Sequence, residues 1–352
     1  MRFIGNKENI IEKIKLILDS YNISGKSFFD FFSGTTSVAK FFKKLDYEVY
    51  SSDILYMSYC LQRAYIENNE ALEFEGIKHL ILKKSLFFNP IESVIDYLNS
   101  IPPVEGFIFK NYTPLGTKEL EMPRMYFSNE NGAKIDAIRL EIERLKANKL
   151  LMENEYFFLL ALLIESVPFY SNIAGVYAAF HKKWDPRAVK DFELKENYPI
   201  ISKKKCKAYI GNSIDLAKSI KADILYIDPP YNERQYAPNY HILETIARYD
   251  SPEIRGVTGM RPYDNQKSDF CNATKALCIL DFILKESPAK HIVLSYNSEG
   301  IMPRESIEKI FRKYGKLDFE EFEYTRFKSN SNGLSKTKKH IMEQVYILRK
   351  GL

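Results

Sequence analysis

The tetrapeptide Asp228-Pro229-Pro230-Tyr231 is the sharpest concentration of chemically capable residues in the chain, and it follows directly on an apolar run, Ile224-Leu225-Tyr226-Ile227. A carboxylate beside two prolines presents acceptors in a fixed direction. Neither proline has an N–H, and each ring restricts the residue before it to extended geometry. Such acceptors suit an exocyclic amine on an aromatic base, whose lone pair is delocalised into the ring and which is therefore a poor nucleophile. If its two N–H groups are taken by the Asp228 carboxylate and by a backbone carbonyl, best that of Pro229, the nitrogen is drawn toward tetrahedral geometry. Its lone pair is then aimed at a methyl donor, as preorganised electrostatics requires. Tyr231 can stack on the base, an interaction worth about 1–3 kcal/mol. Alone, the four residues also read as a Pro-Pro turn behind a strand with a capping Asp, because short motifs misfire.

Three companions favour the chemical reading. Asp30-Phe31-Phe32-Ser33-Gly34-Thr35-Thr36-Ser37-Val38 joins an apolar strand to a helical pattern. A glycine there lets the backbone approach a ligand, and the helix N-terminus favours a carboxylate. Asp30, Phe32, Ser33, Gly34 and Thr35 are its candidate ligand contacts, although a single glycine also fits an ordinary βα turn. Asp53 ends the next strand, with Ile54 after it. An acid there can accept hydrogen bonds from ribose hydroxyls, and it can equally cap a turn or helix. Gly211-Asn212-Ser213-Ile214-Asp215 stands just before the strand that leads to Asp228. Asn212 and Ser213 could hold an adenine with Ile214 against the ring, or could cap a helix over 214–220.

The elements that position these groups follow from periodicity. An apolar segment over 26–32, a helix over 37–45 with Val38, Phe41, Phe42 and Leu45 on one face, and a strand over 47–53 form a βαβ unit. Further strands are predicted over 208–210, 224–227, 291–296 and 344–348. Their unbroken apolar runs suit a sheet covered on both faces. Between about 57 and 202 the pattern is different. Helical spacing over 135–147 alternates with loop-like stretches at 101–103, 111–116 and 128–132. The spacing predicts one open α/β sheet interrupted by a mostly helical insertion.

The chain has 352 residues, 45% of them hydrophobic, enough for a large core and a second lobe. The net charge of +5 is compatible with a polyanionic partner without demanding one. The N-terminus lacks a signal-peptide pattern, and the longest apolar stretch, Tyr156 to Ile164 between Glu155 and Glu165, is too short to span a bilayer. No membrane association is therefore expected. The four cysteines lack zinc-site spacing and the five histidines are scattered, so no metal is expected and a reduced cytoplasmic core is.

Together these motifs resemble the DNA adenine-N6 methylase family that includes the Dam enzymes and the modification partners of restriction endonucleases. Phe3-Ile4-Gly5-Asn6-Lys7 is similar to the family's N-terminal motif. Its position before the glycine turn, with the tetrapeptide late, is the order of the family's α group. The resemblance implies a Rossmann-like sheet that binds S-adenosylmethionine. Phe3, Gly5 and Lys7 would join Asp30 to Thr35, Asp53, Ile54, Asn212 to Ile214 and Asp228 at the cofactor, with Asp228 to Tyr231 at the flipped adenine. It also implies double-stranded DNA as partner, possession of a cognate restriction endonuclease as a possibility, and use at a bacterial or archaeal nucleoid. Two departures stand out: Thr36 occupies the place of a second glycine, and Asn212 that of the usual acid. The catalytic domain is expected over 1–58 and 204–352, with a target-recognition insertion over 59–203. Lys110, Lys118, Arg124, Arg139, Lys182, Lys183 and Arg187 are candidate DNA contacts within the insertion. Arg234, Gln235 and Tyr236 follow the tetrapeptide and look like family sequences around the base pocket. Arg261 and Lys267 lie in or beside a glycine-containing stretch, 255–263, that suits a mobile loop. The lysines of 336–340 could meet phosphate or solvate a hairpin. Two rivals keep the fold: an RNA adenine or cytosine-N4 methyltransferase, and a catalytically silent nucleic-acid-binding protein.

Overall fold

The computed structural model describes residues 3–81, 89–325 and 340–351, so the lysines of 336–339 lie outside the described residues. The strands are β1 (Ser27–Asp30), β2 (Glu48–Asp53), β3 (Lys207–Ile210), β4 (Ile224–Ile227), β5 (His291–Asn297), β6 (Gly315–Thr325) and β7 (His340–Lys350). The α-helices are α1 (Ile11–Ser20), α2 (Ser37–Lys44), α3 (Tyr56–Gln62), α4 (Lys78–Ile81), α5 (Pro90–Ser100), α6 (Phe107–Tyr112), α7 (Asn129–Ala147), α8 (Glu153–Ser166), α9 (Ser213–Leu216), α10 (Tyr236–Arg248), α11 (Ala273–Glu286) and α12 (Arg304–Phe311). The described chain divides into two compact units. A sheet unit comprises Gly5–Gln62, Ser202–Tyr236 and Asn265–Leu352, and a helical unit comprises Arg63–Ile201 and Ala237–Asp264 with Phe3 and Ile4.

The sheet has the order β3-β2-β1-β4-β5-β7-β6. β3, β2, β1, β4 and β5 run parallel, and β7 is antiparallel to both β5 and β6. The chain winds outward from β1 to β2 and β3 on one side, then returns to β4 on the other. The carboxyl ends of β1 and β4 therefore flank a topological switch point, where open α/β sheets bind their ligands.

Strand parity separates the two faces of this sheet. Because side chains alternate, Phe29, Leu225, Ile292, Leu294, Tyr296, Tyr346 and Leu348 fall on one face, where they form a core with residues of α11 and α12. Each fully buried Phe or Leu there stabilises the fold by about 1.5–3 kcal/mol. The register puts Asp30, Ser51 and Asp53 with Tyr226, Ser295 and Glu343 on the opposite face. The acids thus collect on one side without interrupting the apolar core.

Three elements depart from the sequence pattern. β6 was invisible because Lys316, Asp318, Glu320, Glu321 and Glu323 mask its apolar positions. As the sheet's outer strand it carries charge that discourages edge-to-edge pairing. The stretch 128–132 is the start of α7: the Ser128 side chain accepts from the N–H of Asn131 at 3.1 Å, a helix N-cap. The predicted helix over 214–220 contracts to α9, four residues long.

Candidate active site

Asp228 is the first residue beyond β4, and its side chain is only 14% exposed. Pro229 and Pro230 after it are buried. The Asp228 carboxylate has two neighbours that carry protons. The Lys7 ammonium lies 3.3 Å from Oδ1, and the Tyr231 hydroxyl donates to the same Oδ1. Both contacts converge on Oδ1, so Oδ2 is the oxygen left for an incoming donor. Lys7 also donates to Glu343 Oε1 at 2.7 Å and to the Tyr231 hydroxyl. Glu343 Oε1 accepts a second hydrogen bond, from Ser295 Oγ at 2.5 Å. Lys7 lies 224 residues from Tyr231 and 336 from Glu343 in sequence, so no local pattern announces this cluster; the fold of the sheet unit brings it together.

The electrostatics follow from burial. Burial raises the Asp228 carboxyl to about 6, with Lys7 lowering it and Glu343 raising it. Burial lowers the Lys7 ammonium, but Asp228 and Glu343 together more than offset this, and its pKa is raised overall. Burial first, then the charge of Asp228, pushes Asp30 well above the carboxylate range. The Tyr231 phenol is likewise pushed far up, by burial and then by Asp228 and Glu343. At neutral pH the cluster holds one ammonium and an ionised Asp228 while Tyr231 keeps its proton.

Tyr231 is half-buried. Its ring meets Tyr296 edge-on, with centroids 5.2 Å apart, and the Lys7 ammonium sits 4.7 Å from its centroid. The Tyr296 hydroxyl in turn accepts from the Met302 N–H at 3.1 Å. The loop after β4 is further tied by Ile301 N–H donating to the Tyr231 carbonyl at 3.0 Å.

The other motif residues of the sheet unit gather at the carboxyl ends of β1, β2 and β3. Asp30 Oδ2 accepts from the Ala39 N–H at 3.1 Å, anchoring the first turn of α2. Ser33 N–H donates to the Ser52 carbonyl at 3.0 Å, and Ser33 and Thr35 are buried. Asp53 accepts from the Gly34 N–H through Oδ2 at 2.8 Å and from the Leu55 N–H through Oδ1 at 2.9 Å. Gly34 has φ +47° and Thr36 has φ +62°. The place of the absent second glycine is thus left-handed, and Thr36 adopts it at a cost of about 1–2 kcal/mol. Phe32 packs edge-on against Phe270 at 5.3 Å. Asn212 is exposed and accepts from the Ile214 N–H at 3.2 Å, while Gly211 N–H donates to the Asp53 carbonyl at 3.0 Å. Ile54 and Ile214 are half-buried. Gly5 has φ +80°. Phe3 belongs to the helical unit, where its ring stacks on Tyr240 with centroids 4.1 Å apart.

The basic residues divide sharply by role. Lys110, Lys118, Lys182 and Lys183 are exposed in the helical unit, and Arg234 and Lys267 are exposed in the sheet unit. Arg187 is half-buried and pairs with Asp185 at 2.6 Å. Gln235 exchanges two hydrogen bonds with the backbone of Ser268, and Tyr236 is half-buried. Arg124, Arg139 and Arg261 are buried. Arg124 donates to the carbonyls of Asn111, Gly256 and Val257, and Arg261 to Asp250 and Thr245. The stretch 255–263, expected as a mobile loop, is therefore gripped at its turn; Tyr112 also donates to the Gly259 carbonyl at 2.9 Å.

Glu343 escaped sequence reading. Its one signal is an acid beside Gln344 between the apolar stretches Ile341-Met342 and Val345 to Leu348 of β7. Among the described residues no group of three or more His, Cys, Asp or Glu is arranged to hold a metal ion, and no helix is long and apolar enough to cross a membrane.

Comparison with known proteins agrees with this geometry. The model for the D12 class N6 adenine-specific DNA methyltransferases matches residues 3–310. The type II methyltransferase M.FokI of Planomicrobium okeanokoites is 42% identical over 318 residues, covering 90% of this chain and 47% of the relative. The modification methylase StsI of Streptococcus sanguinis is 37% identical over 357 residues, covering 99% of this chain and 52% of the relative. The chain thus spans about half the length of these two relatives. The type II methyltransferase M.NlaIII of Neisseria lactamica is 36% identical over 333 residues, covering 94% of this chain and 93% of the relative. With a family model over nearly its whole length and the Asp228–Tyr231 tetrapeptide at the switch point of its sheet, the chain belongs to the D12 class N6 adenine-specific DNA methyltransferases.

Proposed function

We propose that the chain methylates the N6 amino group of adenine at specific sites in double-stranded DNA, as the modification half of a restriction–modification system, in the cytoplasm. The observation that carries this is the half-buried Asp228 carboxylate, held through Oδ1 by Lys7 and Tyr231 with Oδ2 left over. The names of the relatives, modification methylase among them, support the modification role.

S-adenosylmethionine is the cofactor this reading requires, and the residues at the strand ends fit it. The position a Cβ would take on Gly211 has no atom within 4 Å, so the chain before Asn212 leaves room for a nucleoside. The Asp53 carboxylate, which accepts two backbone N–H groups, is an acid at a strand end of the kind that ribose hydroxyls require. Phe32, Asn212 and Ile214 would line the remainder, with Gly5 and Lys7 toward the reacting end. Bound S-adenosylmethionine supplies the electrophilic methyl group.

The chain's own residues then do the following. Asp228 Oδ2 accepts one N–H of the extruded adenine and the Pro229 carbonyl accepts the other, aiming the nitrogen lone pair. Extruding the base costs a few kcal/mol, and phosphate contacts offset it. The exposed Lys110, Lys182, Lys183, Arg234 and Lys267 are the candidates for those contacts. Arg124 and Arg261 contribute by stiffening the 255–263 turn. The proton released from the methylated amine passes to Asp228, whose pKa of about 6 lets it accept and return a proton near neutrality. In this reading the helical unit reads the DNA sequence and the sheet unit performs the transfer.

Tritiated methyl transfer to unmethylated bacterial genomic DNA, followed by digestion to nucleosides and mass spectrometry, tests the proposal. N6-methyladenine is the expected product. N4-methylcytosine, or label found in RNA alone, would assign the same fold to a rival acceptor. Absence of transfer with no calorimetric binding of S-adenosylmethionine would leave the silent-scaffold reading.

A further inference from the structure

Glu343 lies outside residues 3–310, the span matched by the family model, yet it is 1% exposed and closes the charge cluster around Asp228. It stands on β7 and faces Ser295 of β5, whose hydroxyl fixes its Oε1. The same Oε1 takes a hydrogen bond from Lys7. A long lysine side chain has rotamer freedom that burial alone does not remove. Here two anchors remove it: the Glu343 carboxylate on one side and Oδ1 of Asp228 on the other.

We infer that Glu343 is a positioning residue that holds Lys7 between two carboxylates, so that Lys7 orients Asp228 through Oδ1 without claiming its charge entirely. The role rests on the methyl-transfer reading above, because it concerns the acceptor strength of Asp228 toward the amine. With Glu343 present, one ammonium serves two buried acids, and the cluster keeps net negative charge beside Oδ2. Without the Glu343 charge, Lys7 would belong to Asp228 alone. The carboxylate would then be more fully neutralised and a weaker acceptor for an N–H. The other titratable neighbours are Tyr231 in the same loop, Asp30 on β1, Tyr226 on β4 and Tyr324 on β6. Burial pushes Asp30 and the tyrosines upward, and Lys7 and Glu343 are the charged groups whose contacts bear on Asp228.

The test follows Asp228 directly and turnover separately. Carbon-13 NMR of full-length protein labelled at its aspartate carboxyls, with the Asp228 signal assigned from Asp228→Asn, gives its titration without catalysis. Glu343→Gln is expected to lower the Asp228 midpoint by about one pH unit, and Lys7→Met to raise it by at least as much. In the Lys7→Met background, where the shared ammonium is gone, adding Glu343→Gln should move the midpoint much less than Glu343→Gln does alone, a non-additive result that loss of packing would not produce. On unmethylated bacterial genomic DNA, Glu343→Gln should lower kcat about tenfold to a hundredfold, leave KM for S-adenosylmethionine within about twofold, and move the acid limb of the pH profile downward. Glu343→Asp should recover part of kcat. If Glu343→Gln does not fold, Glu343→Asp is read by the same titration, with a smaller downward shift of the Asp228 midpoint expected. An unmoved Asp228 midpoint in either folded variant, or shifts in one direction in both, overturns the inference. Midpoints that shift as expected in a protein with no transferase activity would instead overturn the proposed reaction and leave the charge relay standing.

Discussion

Two buried cations in this chain are handled in opposite ways. In the helical unit, Arg139 is 1% exposed and donates to the carbonyls of Ile246 and Ala247 at 2.7 and 3.0 Å and to Glu143 at 2.6 Å. Those carbonyls belong to the last turn of α10, where a cation satisfies groups that no helical N–H can reach. In the sheet unit, Lys7 meets two carboxylates and a phenol, and the acceptor it leaves over, Asp228 Oδ2, is where chemistry is proposed. The first arrangement uses its donors up and holds backbone in place. The second keeps acceptor capacity in reserve at a buried point, which costs stability and supplies function. Arg124 follows the first pattern around the 255–263 turn, donating to the carbonyls of Gly256 and Val257.

The contrast can be broken most easily at Asp228. Asp228→Asn is expected to reduce methyl transfer about a hundredfold to a thousandfold. It should not lower the melting temperature at pH 7.5. Because burial raises this carboxyl from 3.8 to about 6, the folded state binds its proton more tightly than the unfolded state does. Stability from this group is therefore highest below about 4 and falls as pH rises through 6. The amide removes that loss. A large drop in melting temperature would mean that Asp228 is structural.

Arg139→Met tests the other side. Leaving two buried carbonyls without donors should destabilise the protein by about 3 kcal/mol in urea unfolding, with S-adenosylmethionine affinity retained at low denaturant. Unchanged stability would remove the distinction drawn between the two cations.

His241, also in the helical unit, is 1% exposed, with Nε2 3.0 Å from the Tyr177 carbonyl. Burial lowers it from 6.5 to about 4. The unfolded state binds its proton more tightly, so the stability of the neutral histidine is present above about 6.5 and lost as pH falls toward 4. His241→Asn should flatten thermal stability across that window, measured by melting in a pH series. An undiminished acid slope would exclude His241 as its source.

The smallest effect is expected at Asp53, whose two backbone hydrogen bonds make it part scaffold and part ligand site. Asp53→Asn keeps one acceptor oxygen and should weaken S-adenosylmethionine about tenfold by calorimetry, the equivalent of about 1.4 kcal/mol. Equal affinity would confine Asp53 to holding the β1–α2 turn.

Much of the sheet was legible because buried parallel strands are short unbroken apolar runs, as at 224–227 and 291–296. The helix from 129 was legible only from 135, since its first turn is built of Asn129, Glu130, Asn131 and Gly132 and declares itself through the Ser128 cap. β6 was hidden because an edge strand with one solvated side can carry many charges. At the site, Asp228, Lys7, Asp30 and Asp53 each announced themselves by motif. That Lys7 reaches Asp228, and that Glu343 completes the cluster, did not appear in any local pattern. The same holds for Arg124 and Arg261, whose charge suggested a nucleic-acid surface and whose burial supports a turn.

Residue types and local order by themselves determined the βαβ pattern, the acceptor turn after β4 and its suitability for an exocyclic amine. These depend on backbone sterics and on hydrogen-bonding capacity that each residue carries wherever it stands. Tertiary structure alone decided which acid shares Lys7, which oxygen of Asp228 stays open, and which arginines face inward. Ionisation and acceptor strength depend on distance and burial in a low-dielectric interior, and both are set by strands that meet only after the chain has folded.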